Sequence, residues 1–206
     1  MGAGRTTGTS LRARSHRRPV TSSPEFLERV GLGTAQFGLD YGITNRNGTL
    51  SRNSAAEILD RAMPIGIRLL DTAPAYGPSE DIIGQLDSAC EFEVVTKVPP
   101  MPVGLSGADK ADALEREFDS SLKRLGRDSI EGLLVHHGRH LTTRDGGHLI
   151  ERLMKIRTDG RVKKIGASVY SAGEIDDILS RFRPDIIQLP ISIADQRLIE
   201  SGHIDK

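Results

Sequence analysis

Cysteine occurs once in the 206 residues, at position 90, and tryptophan does not occur at all. A single thiol closes no intramolecular disulfide and leaves no cysteine cluster to hold zinc. No apolar run approaches the roughly 18 residues that a membrane-crossing helix needs. No membrane partner is therefore expected, and a soluble, cytoplasmic protein is. Charge of one sign is not in surplus either, since Lys and Arg number 28 and Asp and Glu also 28. The balance conceals an asymmetry, because residues 1–24 hold five Arg and no acid while residues 25–206 carry 23 basic and 28 acidic groups. A body with that balance gives no reason to expect nucleic acid as a partner. Residues 1–24 also lack an apolar core and are expected to form a disordered basic tail, with a transit-type presequence as the alternative. The remaining 182 residues, 25–206, suit one domain. No pattern speaks to the oligomeric state.

What is present is a regular alternation of strand and helix signals. Short apolar segments at residues 30–37, 67–71, 92–98, 130–136, 162–169 and 185–189 read as strands. Between them, apolar residues recur at helical spacing: Ile58, Leu59 and Ala62; Ile82, Ile83 and Leu86; Leu114, Phe118, Leu122 and Leu125; Leu149, Leu153 and Ile156; Ile175, Ile178, Leu179 and Phe182. Ser54 with Glu57, and Ser171 with Glu174, have capping-box spacing, and Ser79 precedes two acids like a helix cap. A sixth helix is expected to open over residues 194–201. Strict alternation implies parallel strands joined by right-handed crossovers. An open sheet that binds a dinucleotide would carry GxGxxG at its first turn, but Gly31, Gly33 and Gly38 are spaced GxGxxxxG. A (β/α)₈ barrel of TIM type, cut to about six strand–helix units, fits the pattern; a complete barrel needs eight.

In such a barrel the chemistry sits at the C-terminal ends of the strands. Those ends supply Thr34, then Asp71 with Tyr76 beyond a Pro- and Gly-rich turn, Lys97, His136, Ser168 and Gln188. Taken singly, each has an ordinary structural use: Asp71 can cap a turn, Tyr76 can pack in a loop, and His136 has a competitor in His137. Together they bring a carboxylate, a phenol, an ammonium and an imidazole to one rim. A phenol with a pKa near 10 is a poor proton donor at neutral pH, and a neighbouring Lys97 is expected to lower it. Asp71 would hold the ammonium, and His136 would orient a carbonyl oxygen.

Residues 30–204 resemble the aldo-keto reductases through VGLGTAQFG, GIRLLDTAPAYGPSE, VVTKV, SLKRLG, GLLVHH, GRVKKIGASVY and IIQLP. The resemblance implies a (β/α)₈ barrel that binds NADPH, or less often NADH, and reduces small aldehydes or ketones or oxidises alcohols. It puts the catalytic tetrad on Asp71, Tyr76, Lys97 and His136, with Tyr76 as general acid/base. It assigns cofactor contacts to Gly33, Thr34, Asp71, Ser168 and Gln188, and no metal. Two departures stand out. Ser168-Val169 replaces the family's frequent Ser-Asn, and nothing corresponds to its seventh and eighth strands, which bring much of the cofactor grip. The LPxxIxDQR run at 189–197 and the loop at 42–45 look most like bacterial reductases of sugar and polysaccharide pathways. The alternatives are a truncated, catalytically impaired relative with a non-catalytic or regulatory role, and a lyase using Lys97 as a Schiff base.

Overall fold

The computed structural model describes residues 27–43, 45–46 and 48–206; the basic segment 1–24 lies outside them. Six strands form one parallel sheet in sequential order: β1 (Gly31–Gly33), β2 (Leu69–Asp71), β3 (Glu93–Val98), β4 (Ile130–Val135), β5 (Val162–Ser168) and β6 (Ile186–Gln188). Strand order that simply follows the chain, with a helical crossover after each strand, is the winding of a β/α barrel. The sheet is curled, so that the Gln188 amide nitrogen on β6 donates to the Asp71 carboxylate on β2 at 3.0 Å. β1 and β6 are not paired with each other among the described residues. The architecture is therefore a six-strand half-barrel, as expected from the sequence.

The helices between the strands are α2 (Arg52–Ala62), α3 (Ser79–Gly84), α4 (Gly107–Leu125), α6 (Gly146–Thr158) and α7 (Ala172–Leu179), with short α1 (Ala35–Gly38), α5 (Arg139–Thr142) and α8 (Arg197–Glu200) in the connections. Each long helix hides one stripe. On α4 the buried set includes Leu114, Phe118, Leu122 and Leu125. Ser106 caps its start by accepting from the Asp109 amide, and Gly126, at φ 64°, ends it. These stripes meet the outward residues of the strands, such as Leu70, Val94, Leu133 and Ile165, in one continuous core. At about 1.5–3 kcal/mol per buried large aliphatic or aromatic side chain, this layer holds the barrel wall in place.

Several local expectations are corrected. The first strand stops at Gly33 instead of running to 37, because the chain turns into α1 and buries Phe37. Ser51, three residues ahead of Ser54, caps α2 by accepting from the Ser54 amide. Ser79 is not a cap but the first residue of α3, fully buried, with its hydroxyl directed into the fold. α3 ends at Gly84, so Leu86 is buried beyond the helix and not on its stripe. The sixth helix shrinks to Arg197–Glu200 behind a Ser192–Asp195 bridge. Ser171 does cap α7, while Glu174 accepts from the Tyr170 amide, one residue earlier than a capping box requires.

β5 and β6 approach so closely at Gly166 that an added Cβ would lie 1.7 Å from the Ile186 carbonyl oxygen. Gly166→Ala is therefore expected to separate β6 from β5 and to destabilise by about 3 kcal/mol or more. Urea denaturation followed by circular dichroism measures this, and a shift below about 1 kcal/mol would contradict the close strand approach.

Candidate active site

The polar residues of the rim are set by the ends of β2, β3, β4, β5 and β6. β2 delivers Asp71, after which Thr72-Ala73 leads into a tight 3₁₀ turn, Pro74–Tyr76, and then α3. Buried hydroxyls fix this turn. The Thr34 hydroxyl donates to the Asp71 carbonyl at 3.0 Å, and Ser79 Oγ lies 3.0 Å from the Thr34 carbonyl, 2.9 Å from Thr34 Oγ1 and 3.1 Å from Thr72 Oγ1. Gly38 completes the clamp, since a Cβ there would meet the Tyr76 carbonyl oxygen at 1.8 Å. Glu80 is fully buried and accepts from Thr96 at 2.5 Å and Arg124 at 2.7 Å. It ties the start of α3 to the strand that carries Lys97.

Lys97 points into the concave side of the sheet and is 2% exposed. Its ammonium donates to Asp71 Oδ1 at 2.7 Å, the Thr72 carbonyl at 3.0 Å and the Tyr76 hydroxyl at 3.4 Å. It also stands 5.1 Å from the centre of the Tyr76 ring. His136 follows β4, and its ring meets that of Tyr76 edge-on, with centroids 6.4 Å apart and planes at 87°. His137 stacks on the far side of His136 at 5.3 Å and leads away towards His140 and Tyr170. The structure thus gathers Asp71, Tyr76, Lys97 and His136 into one cluster, with His137 outside it. An ammonium held by three oxygens has no free electron pair, which weighs against Lys97 as a Schiff-base nucleophile.

The electrostatics differ from the sequence expectation in one respect. The pKa of Tyr76 is raised above its ordinary 10.0, first by burial and then by the Asp71 carboxylate and Tyr41. Lys97 is close enough to oppose this, but its charge is largely balanced by Asp71. His136 is pushed below 6.5, mainly by burial and then by the Lys97 and His137 charges, with Asp71 pulling partly the other way. At neutral pH the phenol is protonated and the imidazole neutral.

The expected cofactor residues divide. Ser168 donates to the Gln188 side-chain oxygen at 3.0 Å, and Gln188 donates onward to Asp71. Both line a cleft of about 300 Å³ together with Asp71, Tyr76, Tyr170 and Pro190. Gly33 lies exposed at the end of β1, and no atom is within 4 Å of where its Cβ would stand. Thr34 is fully buried. Its amide and hydroxyl donate to the Asp71 carbonyl, and its own carbonyl accepts from Phe37 and Ser79. It therefore props the site from below. Val169, in place of the family's frequent Asn, is fully buried. Tyr170 was missed from the sequence, although it follows a strand end as Tyr76 does. The Ser79 and Glu80 contacts had no readable signal, because a helix start explains both residue types.

Fold and cluster together define a β/α-barrel protein with a carboxylate, a phenol, an ammonium and an imidazole gathered at its C-terminal rim. The sequence profile of the aldo/keto reductase family matches residues 29–205, and the chain belongs to that family of oxidoreductases. It is 28% identical over 200 residues to the NADH-specific methylglyoxal reductase of Escherichia coli (strain K12), covering 87% of this chain and 60% of that protein. An aldo-keto reductase of Mycobacterium sp. (strain MCS) is 30% identical over 172 residues, which are 76% of this chain and 56% of that one. A crystal structure of a Pseudomonas aeruginosa protein described as an aldo-keto reductase superposes with a TM-score of 0.67 at 28% identity, covering 84% of this chain and 68% of the other. The chain spans somewhat more than half the length of these curated relatives.

The Lys97–Asp71 pair is asymmetric, with side chains 2% and 24% exposed. Asp71→Ala strands a buried ammonium and is expected to cost about 3–5 kcal/mol. Lys97→Met leaves a carboxylate that reaches water and keeps the Gln188 amide, for about 1–3 kcal/mol. Chemical denaturation of both variants checks the order, and the reverse order would contradict the burial argument.

Titration supplies a separate check. The difference in phenolate absorbance between the parent and Tyr76→Phe should show one ionisation above 10, and the His136 imidazole resonance should titrate below 6.5. Because the folded pKa of His136 lies below its unfolded value, the unfolded chain binds more protons in between. This group's contribution to stability therefore falls as pH drops through the folded pKa. A His136 midpoint above 6.5 would refute the assigned environment.

Proposed function

We propose that this protein takes part in nicotinamide-dependent reduction of a small aldehyde or ketone, or the reverse oxidation of an alcohol, with Tyr76 as the general acid/base. The observation that carries the reading is the Lys97 ammonium, bonded at once to Asp71 and to the Tyr76 hydroxyl, with the His136 ring edge-on to the phenol. In reduction, Tyr76 Oη–H donates its proton to the substrate oxygen as negative charge develops there. The phenolate left behind forms beside Lys97, whose ammonium is already positioned and needs no reorganisation. Asp71 keeps that ammonium in place, and neutral His136 orients the carbonyl oxygen. In oxidation the phenolate takes the proton back.

The residues fit a nicotinamide carboxamide. The Ser168 hydroxyl and the Gln188 amide present hydrogen-bonding groups at the cleft beside Tyr76, Asp71 borders it, and Gly33 leaves open backbone at the neighbouring rim. NADPH or NADH bound there would supply the hydride. We place the barrel domain at residues 25–206, the basic segment 1–24 apart from it, and the protein in the cytoplasm. Small carbonyl compounds are the proposed partners. The name of the Escherichia coli relative makes methylglyoxal a sensible first substrate, with NADH and NADPH compared side by side.

Turnover is tested by cofactor oxidation with methylglyoxal and a panel of aldehydes. Tyr76→Phe should lower kcat/KM by about 10²–10⁴ while leaving the cofactor Kd, read from NAD(P)H fluorescence, within about twofold. Retained turnover in Tyr76→Phe would remove Tyr76 from its role. Tight cofactor binding without turnover on any aldehyde would favour the non-catalytic alternative.

A further inference from the structure

Beside the rim, between the loop after β3 and the loop after β4, lies a second cleft of about 300 Å³. Its apolar wall includes Met101, Val103 and Leu149, and its polar groups include Lys110, Arg139 and His140. Lys110 is held by Asp145 at 2.7 Å, which braces the first turn of α4 against the start of α6. Gly107 strengthens that brace, since a Cβ there would lie 2.2 Å from the His148 ring. Arg139 is exposed, and its guanidinium has no hydrogen-bond or ion-pair partner among the described residues. The lining thus holds two permanent cations and an imidazole, one of the cations already paired with Asp145, on a body whose acids outnumber its bases.

A row of rings runs from the site already described towards this cleft. From His136 the rings step to His137 at 5.3 Å and from there to His140 at 6.2 Å. We infer that this cleft is an anion subsite, in which Arg139, Lys110 and His140 bind a carboxylate or phosphate carried on the far end of the carbonyl substrate. The assignment of the reactive end rests on the carbonyl-reductase reading, but the anion site stands on its own residues. The cations disfavour one another: His140 protonates less readily than an ordinary histidine because of burial first, then His137, Arg139 and Lys110. A bound anion relieves that repulsion, whereas a neutral group does not. The apolar wall suits the carbon chain leading to the anion.

Two measurements test the inference. The first titrates the 206-residue chain with inorganic phosphate at constant ionic strength and follows the His140 imidazole resonances. A saturable shift is expected, together with a rise in the His140 pKa, and both should be lost in Arg139→Gln/Lys110→Gln, a variant whose urea midpoint confirms folding. Absence of saturation, or an unchanged shift in the variant, overturns the subsite. The second compares aldehydes of equal length ending in hydroxyl, carboxylate or phosphate. The Arg139→Gln variant should raise KM about fivefold for the charged pair, with kcat and the neutral aldehyde unaffected. An equal effect on all three overturns the inference, and a preference within the charged pair tells carboxylate from phosphate. No turnover with any aldehyde sinks the reductase reading alone, and the phosphate titration still decides the anion site.

Discussion

The ion pair between Lys97 and Asp71 is the contact on which the rest of the site depends. It joins neighbouring strands on the concave side of the sheet, where a buried ammonium is tolerated only if its donors are used. All three are: one on the carboxylate, one on the Thr72 carbonyl and one directed at the Tyr76 hydroxyl. Position at the strand ends follows from the parallel register, in which Asp71 pairs with Val95 and Lys97 with Leu134. Gln188 then brings β6 to the same carboxylate oxygen, so a single acid gathers three strands.

That arrangement explains why the phenol is not ionised. A bare cation beside a tyrosine would favour phenolate, but here the cation arrives with its counter-ion, and burial decides the balance. The result is a protonated phenol next to an ammonium that is already held in place. Rigidity comes from below. The Thr34, Thr72 and Ser79 hydroxyls fix the turn that carries Tyr76, and Gly38 and Gly77 let two backbone segments touch there. Glu80 links the same turn to β3 through Thr96, next to Lys97. Deleting any of these contacts would move the phenol without removing any group of the cluster.

Much of this was legible beforehand, and the reasons are specific. Leu114, Phe118, Leu122 and Leu125 announce a helix because 3.6-residue spacing puts them on one face. Ile130–Val135 announces a strand covered on both faces because it is almost wholly apolar. Asp71, Tyr76, Lys97 and His136 stood out because together they put a carboxylate, a phenol, an ammonium and an imidazole at the ends of successive apolar strands. The misreadings share a cause. Ser54 and Ser79 both looked like caps, yet Ser51 caps α2 and Ser79 is buried among hydroxyls. Serine hydroxyls serve either role, and only the neighbours decide which. Val30 to Phe37 read as one strand because nothing local records that Phe37 has a core to enter.

The sequence by itself determined the parallel β/α winding, the faces of the long helices and the identity of the polar rim residues. These follow from periodicity and from the cost of burying polar groups, which act within a few residues. Only the tertiary structure decided which oxygen holds Lys97, that Tyr76 stays protonated, that Thr34 props the site from below, and that Lys110, Arg139 and His140 border one cleft. Each of these depends on distances between residues tens of positions apart in the chain. Charge and burial at such distances are properties of the folded arrangement, set when the strands come together.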